Sequence, residues 1–156
     1  SDAAFSMMTA LVWEEPIEKE EAIKRLLDSS RGVGKKLKGP AWECVLEREQ
    51  QGGTFVGQDV AIPHARIVGL RRPMVAIGIG RAGIQDHKAG RTFRIMVLLL
   101  SPVDPPESHL KMLGAISRMA RDDQWRKNIL SAGKSADMVS AGIRKWEADQ
   151  RVTKEK

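Results

Sequence analysis

The sequence predicts a single α/β domain, a central mixed sheet with helices on both faces. Three observations carry this. Segments with helical spacing of apolar residues stand before and after a group of Val- and Ile-rich runs. One of those runs, Val97 to Leu100, is apolar without alternation, as expected of a strand covered on both faces. A chain of 156 residues, 42% of them hydrophobic, is long enough for one good core and short for two. Residues 1–156 are therefore read as one domain, with 1–15 and 150–156 peripheral or added to it.

A first helix is expected over about 16–29, where Ile17, Ile23, Leu26 and Leu27 share a side and Pro16 stands where a first turn tolerates proline. "RGVGKKLKGP" interrupts the pattern. A second helix fits "AWECVLEREQQ", with Trp42, Val45, Leu46 and Glu49 on one side and Gly52-Gly53 as its stop. "TFVGQDVAIPHA", "PMVAIGIGR" and "RTFRIMVLLLSP" read as strands, short and bounded by Gly and Pro. Beyond them, Leu110, Leu113, Ile116 and Met119 have helical spacing, and a helix starts near Glu107 or Ser108. "DQWRKNILSA" and "SADMVSAGIRKWEAD" give two more helices, and the polar tail "RVTKEK" is expected to fray.

Composition narrows the function. Cys44 is the single cysteine, so no internal disulfide forms, and a reducing compartment, the cytoplasm, is expected. No apolar run reaches the length of a membrane span, and no direct membrane insertion is expected. The 26 basic residues against 20 acidic ones suit an anionic partner, but they are spread along the chain and interleaved with acids. With aromatics at only 4%, there is little for a base-stacking platform, and nucleic acid is the weakest reading.

"VAIPHAR" carries the chemistry. Pro63 fixes its own backbone and biases Ile62 toward an extended conformation, so His64 is delivered at a defined strand end. An imidazole with its ordinary pKa near 6.5 is largely neutral at pH 7 and able to attack phosphorus. Taken alone, such a histidine more often only hydrogen-bonds a carbonyl at a turn. His109 stands in the first turn of a helix after an apolar strand, where free N–H groups and the helix dipole favour an anion. Arg48 can pair with phosphoryl oxygens, although an exposed helix charge is the plainer account of it. His87, in "QDHKAG", is read as solvated. The three histidines lack close metal-ligand spacing, and neither a metal nor a cofactor is expected.

Read in order, "KEEAIKRLL", "VLEREQQGGTFVGQDVAIPHAR", "GLRRPMVAIGIGRAGI" and "FRIMVLLLSPVDPPESHLKMLGAISRMARDD" resemble enzyme IIA domains of the mannitol/fructose type, from the phosphoenolpyruvate-dependent sugar phosphotransferase system, including their nitrogen-regulatory branch. The likeness covers about residues 17–145. It implies that His64 accepts a phosphoryl group from the histidine phosphocarrier protein. It further implies that His109 hydrogen-bonds that group and that Arg48 stabilises its charge, with Thr54, Gly57 and Ser108 in the surrounding loops. A sugar-permease domain or an ion-transporter domain would be the further partner. Phe55 and Asp59 stand where the family usually has glycine, and Asp59 would oppose phosphoryl binding if it pointed inward. Two functions remain open: a phosphocarrier, or a noncatalytic regulatory module of the same fold appended to the cytoplasmic side of an ion transporter. "ARIVGLRRPMVAIGI" and "VLLLSPVDPP" look closer to the appended group.

Overall fold

The computed structural model describes residues 8–132 and 135–155. Its centre is a hairpin of two long antiparallel strands, β6 (Met74–Asp86) and β7 (Arg91–Pro102), with Val75 opposite Leu99 and Asp86 opposite Arg91. β1 (Thr9–Trp13) and β2 (Ile17–Glu18) lie parallel to β6 on one side. On the other side, β4 (Val60–Ala61) and β5 (His64–Ile67) run parallel to β7, and β3 (Phe55–Gly57) is antiparallel to β4. The sheet is thus mixed.

Alternation along β6 and β7 divides the core in two. Ala76, Ile84, Met96, Leu98 and Leu100 face α1 (Lys19–Ser29) and α2 (Lys35–Gln50), around Ile23, Leu26 and Leu27. Val75, Ile77, Ile79, Ile95, Val97 and Leu99 face α3 (Pro106–Arg121), α4 (Asp123–Ala132) and α5 (Ala136–Glu155), around Met112, Ile116, Trp125 and Ile143. Helices therefore cover both faces, as the unbroken apolar run at 97–100 requires.

Several boundaries differ from the sequence reading. The segment 1–15 is not wholly peripheral: Thr9–Trp13 is a sheet strand, and Trp13 is buried against α1. A side chain at Gly78 would place its Cβ 2.4 Å from the Trp13 ring, so that glycine provides the space for the indole. Ile17 pairs with Ile84 in the sheet, which delays the first helix to Lys19. The second helix starts at Lys35, and Pro40 lies inside it. There proline removes only the bond to the carbonyl of Lys36, one turn earlier. At the other end, α5 extends through 150 to Glu155.

The single strand expected over "TFVGQDVAIPHA" is three strands. Gln58 and Asp59, with φ of 53° and 75°, turn the chain between β3 and β4, and Gly57, with φ of 90°, leads into that turn. Phe55 lies in the extended β3 strand, packed against Phe93 and under the Arg91 guanidinium. The replacement of glycine by Phe55 consequently strains nothing, while Asp59 occupies a left-handed position that Asp tolerates. Proline interrupts the ladder at 63, and its carbonyl accepts a hydrogen bond from the amide of Leu99. The chain re-enters the sheet as β5, beginning at His64.

Candidate functional site

His64 opens β5 and is half-buried. Ala65 and Ile67 turn into the core beneath α2, so alternation directs His64 and Arg66 toward the α3 side. The His64 Nδ1–H donates to the carbonyl of Ile62 at 2.7 Å, since a carbonyl can only accept. This bond settles the tautomer. Nε2 keeps its lone pair and is the ring's nucleophilic atom.

His109 comes from the first turns of α3, forty-five positions later, yet its ring centre lies 5.6 Å from that of His64. Its Nδ1 shares a hydrogen bond of 2.9 Å with the hydroxyl of Ser101, which is buried near the end of β7. Arg48 lies in the last turn of α2, where its Nη1 donates to the carbonyl of Gly52 at 2.8 Å. That bond anchors one guanidinium nitrogen, and the arginine charge still bears on His64.

Both imidazoles have pKa values below the usual 6.5. Burial is the largest cause at each. For His64 the Ile62 carbonyl acts in the opposite direction, the Arg48 charge lowers the value further, and Glu49 raises it. For His109 the charges of His64 and Arg66 add to burial. The consequence has a definite sign. Unfolded chains bind more protons at these positions than the folded domain, so both groups favour folding above pH 6.5, and this contribution fades as pH falls. His64 is expected to remain neutral somewhat below pH 6.5, and NMR titration of its ring carbons should give a midpoint below that of free imidazole.

Behind His64 runs a hydrogen-bonded support. The amide of Ile62 donates to the carbonyl of Thr54 at 2.9 Å. The Thr54 hydroxyl donates to Glu49 Oε2 at 2.5 Å. The other oxygen of Glu49 lies 3.0 Å from Lys19 Nζ, which also lies 3.0 Å from Asp86 Oδ2. These charged side chains are nearly out of solvent, Glu49 at 8% exposure. The residue that receives the His64 proton bond is thus tied through Thr54 to a buried ion cluster at the start of α1.

The expected site residues divide by place. His64, His109 and Arg48 come together. Thr54 lies behind the site with its hydroxyl turned to Glu49, and Ser108 precedes His109 in α3, its amide donating to the carbonyl of Pro105. Gly57 lies at the β3–β4 turn, beside the start of β4. From Ile95, opposite Val60, to Leu99, opposite His64, is four residues of β7, or about 13 Å. His87 is farther away, exposed beyond the end of the hairpin and 2.7 Å from Glu18. Sequence reasoning did not single out Ser101, Arg66 as a neighbour of His109, or the Lys19–Glu49–Asp86 cluster. Ser101 and Asp86 had one legible signal, a polar side chain at the end of a strongly apolar strand.

Asp59 points away from His64. Its Oδ1 accepts the amide of Arg94 at 2.9 Å, and its Oδ2 accepts Arg94 Nε at 2.6 Å. With its charge held there, Asp59→Gly should change phosphoryl transfer to His64 by less than about twofold, whereas an inward carboxylate would have slowed it. Stopped transfer assays of the two proteins with one donor measure this. A large acceleration would show that Asp59 does reach the site.

The site is a pair of imidazoles beside an arginine at the edge of a mixed sheet that helices cover on both faces. The family described as phosphoenolpyruvate-dependent sugar phosphotransferase system, EIIA 2, matches residues 10–141, and the chain belongs to it. It is 33% identical over 121 residues to the PTS system fructose-specific EIIA component of Haloferax volcanii, covering 76% of this chain and 79% of that one. It is 29% identical over 122 residues to a nitrogen regulatory protein of Bradyrhizobium diazoefficiens, covering 78% and 79%. In fold it is similar to the nitrogen regulatory protein IIA-Ntr of Neisseria meningitidis, with a TM-score of 0.72 at 24% identity over 89% of this chain and 94% of that one. IIA mannitol of Escherichia coli has a TM-score of 0.62 at 17% identity, over 85% and 94%.

Proposed function

We propose that this domain is a phosphocarrier that takes a phosphoryl group onto Nε2 of His64 from the phosphorylated histidine phosphocarrier protein. The observation that supports this most is the His64 Nδ1–H bond to the Ile62 carbonyl, which leaves Nε2 as the free nucleophile beside His109 and Arg48. In the transfer, the Nε2 lone pair forms the new N–P bond. The N–P bond to the donor imidazole breaks, and its electron pair returns to the donor ring. His64 keeps its Nδ1 proton, and the Ile62 carbonyl faces the positive charge that the phosphorylated ring acquires.

His109 serves the phosphoryl oxygens if Ser101 donates to its Nδ1, because Nε2 then carries the hydrogen. Arg48 supplies positive charge on the other side. A donor protein needs an open approach, and the exposed side chains of Leu110, next to His109, and Val68, beyond the end of β5, offer apolar contact there. Passage onward to a sugar-permease domain is supported by the Bacillus subtilis relative, a PTS system fructose-specific EIIABC component, of which the match spans 19%. Likeness to nitrogen regulatory proteins supports a regulatory use of the same phosphohistidine.

Incubation with phosphoenolpyruvate, the first general phosphotransferase enzyme and the histidine phosphocarrier protein tests the proposal by intact mass. One acid-labile phosphoryl group per chain is expected. An unchanged mass with an active donor would leave the noncatalytic regulatory module, appended to an ion transporter, as the better reading.

A further inference from the structure

Although basic residues occur along the whole chain, the excess of positive charge comes from two segments. Residues 29–42 and 60–85 contain eight Lys and Arg and no Asp or Glu, while the remaining residues hold 18 basic and 20 acidic ones. Folding brings these two segments together. Leu37 packs at Gly69, where an added Cβ would lie 3.3 Å from it, and Met74 packs in the same way at Gly32, at 3.4 Å. The contacts set Arg31, Lys35 and Lys36, all exposed, next to exposed Arg71 and Arg72 in the loop after β5. None of these five is within ion-pair distance of a carboxylate among the described residues.

The placement of Lys35 and Lys36 is locally unfavourable. They occupy the first turn of α2, where the helix dipole disfavours cations, no acidic residue offsets them, and Gly34 supplies no side-chain cap. Val68, 80% exposed, stands between Arg66 and Arg71. The loop begins four residues beyond His64, about 13 Å along the strand. One partner's half of an ordinary interface, about 800 Å², reaches roughly 16 Å from its centre. An interface centred on His64 therefore reaches the near edge of this surface, at Val68.

Charge of the other sign borders this surface. Asp104 and Glu107, both exposed, follow the end of β7, where Pro102 lies opposite Ile67 at the end of β5. A membrane or a nucleic-acid duplex presents negative charge across its whole width and would meet those carboxylates with repulsion. A protein can match both signs.

We infer that the surface formed by Arg31, Lys35, Lys36, Arg71 and Arg72 is a docking site for a protein partner with an acidic face, which it orients toward His64. The inference rests on the reading of His64 as a phosphoryl acceptor. Steering by such a surface raises the association rate and weakens as salt rises.

The test uses fluorescein-labelled poly-L-glutamate as the acidic polypeptide, with duplex DNA and phosphatidylcholine vesicles containing phosphatidylglycerol as the competing anions. Poly-L-glutamate should bind at low salt, shift the amides of residues 31–36 and 66–72, and slow transfer to His64 from the phosphorylated histidine phosphocarrier protein by about tenfold. Chemical phosphorylation by phosphoramidate should be unaffected. Arg71→Glu with Arg72→Glu, and separately Lys35→Glu with Lys36→Glu, should each lose most of that binding while still accepting phosphate from phosphoramidate. Absence of binding, amide shifts elsewhere, or stronger binding to DNA or to the vesicles would overturn the inference. If neither donor labels His64, the phosphocarrier reading fails, and the binding and amide shifts still decide whether the surface takes an acidic polypeptide.

Discussion

His64→Ala is expected to abolish the acid-labile label, and His64→Gln to do the same while keeping a side chain of similar polarity at the sheet edge. The effect should be complete, since no other imidazole in the site has the same arrangement. His109 Nδ1 is occupied by Ser101, and the ring belongs to a buried position at 8% exposure, less open to a partner than half-buried His64. His87 is exposed but lies beyond the far end of the hairpin, paired with Glu18. From Leu99, opposite His64, to Arg91 is eight residues of β7, or about 26 Å. Intact mass and peptide mapping of the two variants check this. A label persisting in His64→Ala would move the acceptor elsewhere and remove the role assigned to the Ile62 carbonyl.

The second large effect is on stability. Glu49→Ala should lower the free energy of unfolding by about 3 kcal/mol, because it leaves Lys19 with one fewer countercharge and the Thr54 hydroxyl without its acceptor in a nearly dry setting. Burial decides between this and a negligible effect. An exposed pair contributes under about 1 kcal/mol, but Glu49 and Asp86 are close to fully buried and Lys19 keeps only 15% exposure. Urea unfolding followed by tryptophan fluorescence measures the loss. A change below about 1 kcal/mol would mean that water reaches the cluster and that Thr54 is held by other contacts. Transfer to His64 should also slow in this variant beyond what unfolding explains, since Thr54 supports the Ile62 peptide whose carbonyl fixes the ring.

The site was legible where neighbours in the chain carry it. Proline before His64 and the apolar run before His109 place each at a structural boundary, and the family resemblance assigns roles to both and to Arg48. Their convergence depends on β5 pairing with β7, so that the end of β7 can hand the chain to α3 beside the start of β5. Asp59 shows the limit. Its charge was evident, but only Arg94, thirty-five positions later, turns that charge away from His64.

By itself the sequence determined the α/β class, the two-sided burial of the central strands and the placement of His64 at a strand boundary. Periodicity, proline and glycine act through residues a few positions apart, so they are written locally. Only the tertiary structure decided that Thr9–Trp13 joins the sheet, that Nε2 is the free nitrogen of His64, that Glu49 and Lys19 brace the approach to it, and that two separate basic segments form one surface. Each of those depends on a hydrogen bond, a packing contact or a charge supplied from a distant part of the chain. Strand pairing and helix packing choose those partners, and they do so through the whole buried core rather than through any one stretch of sequence.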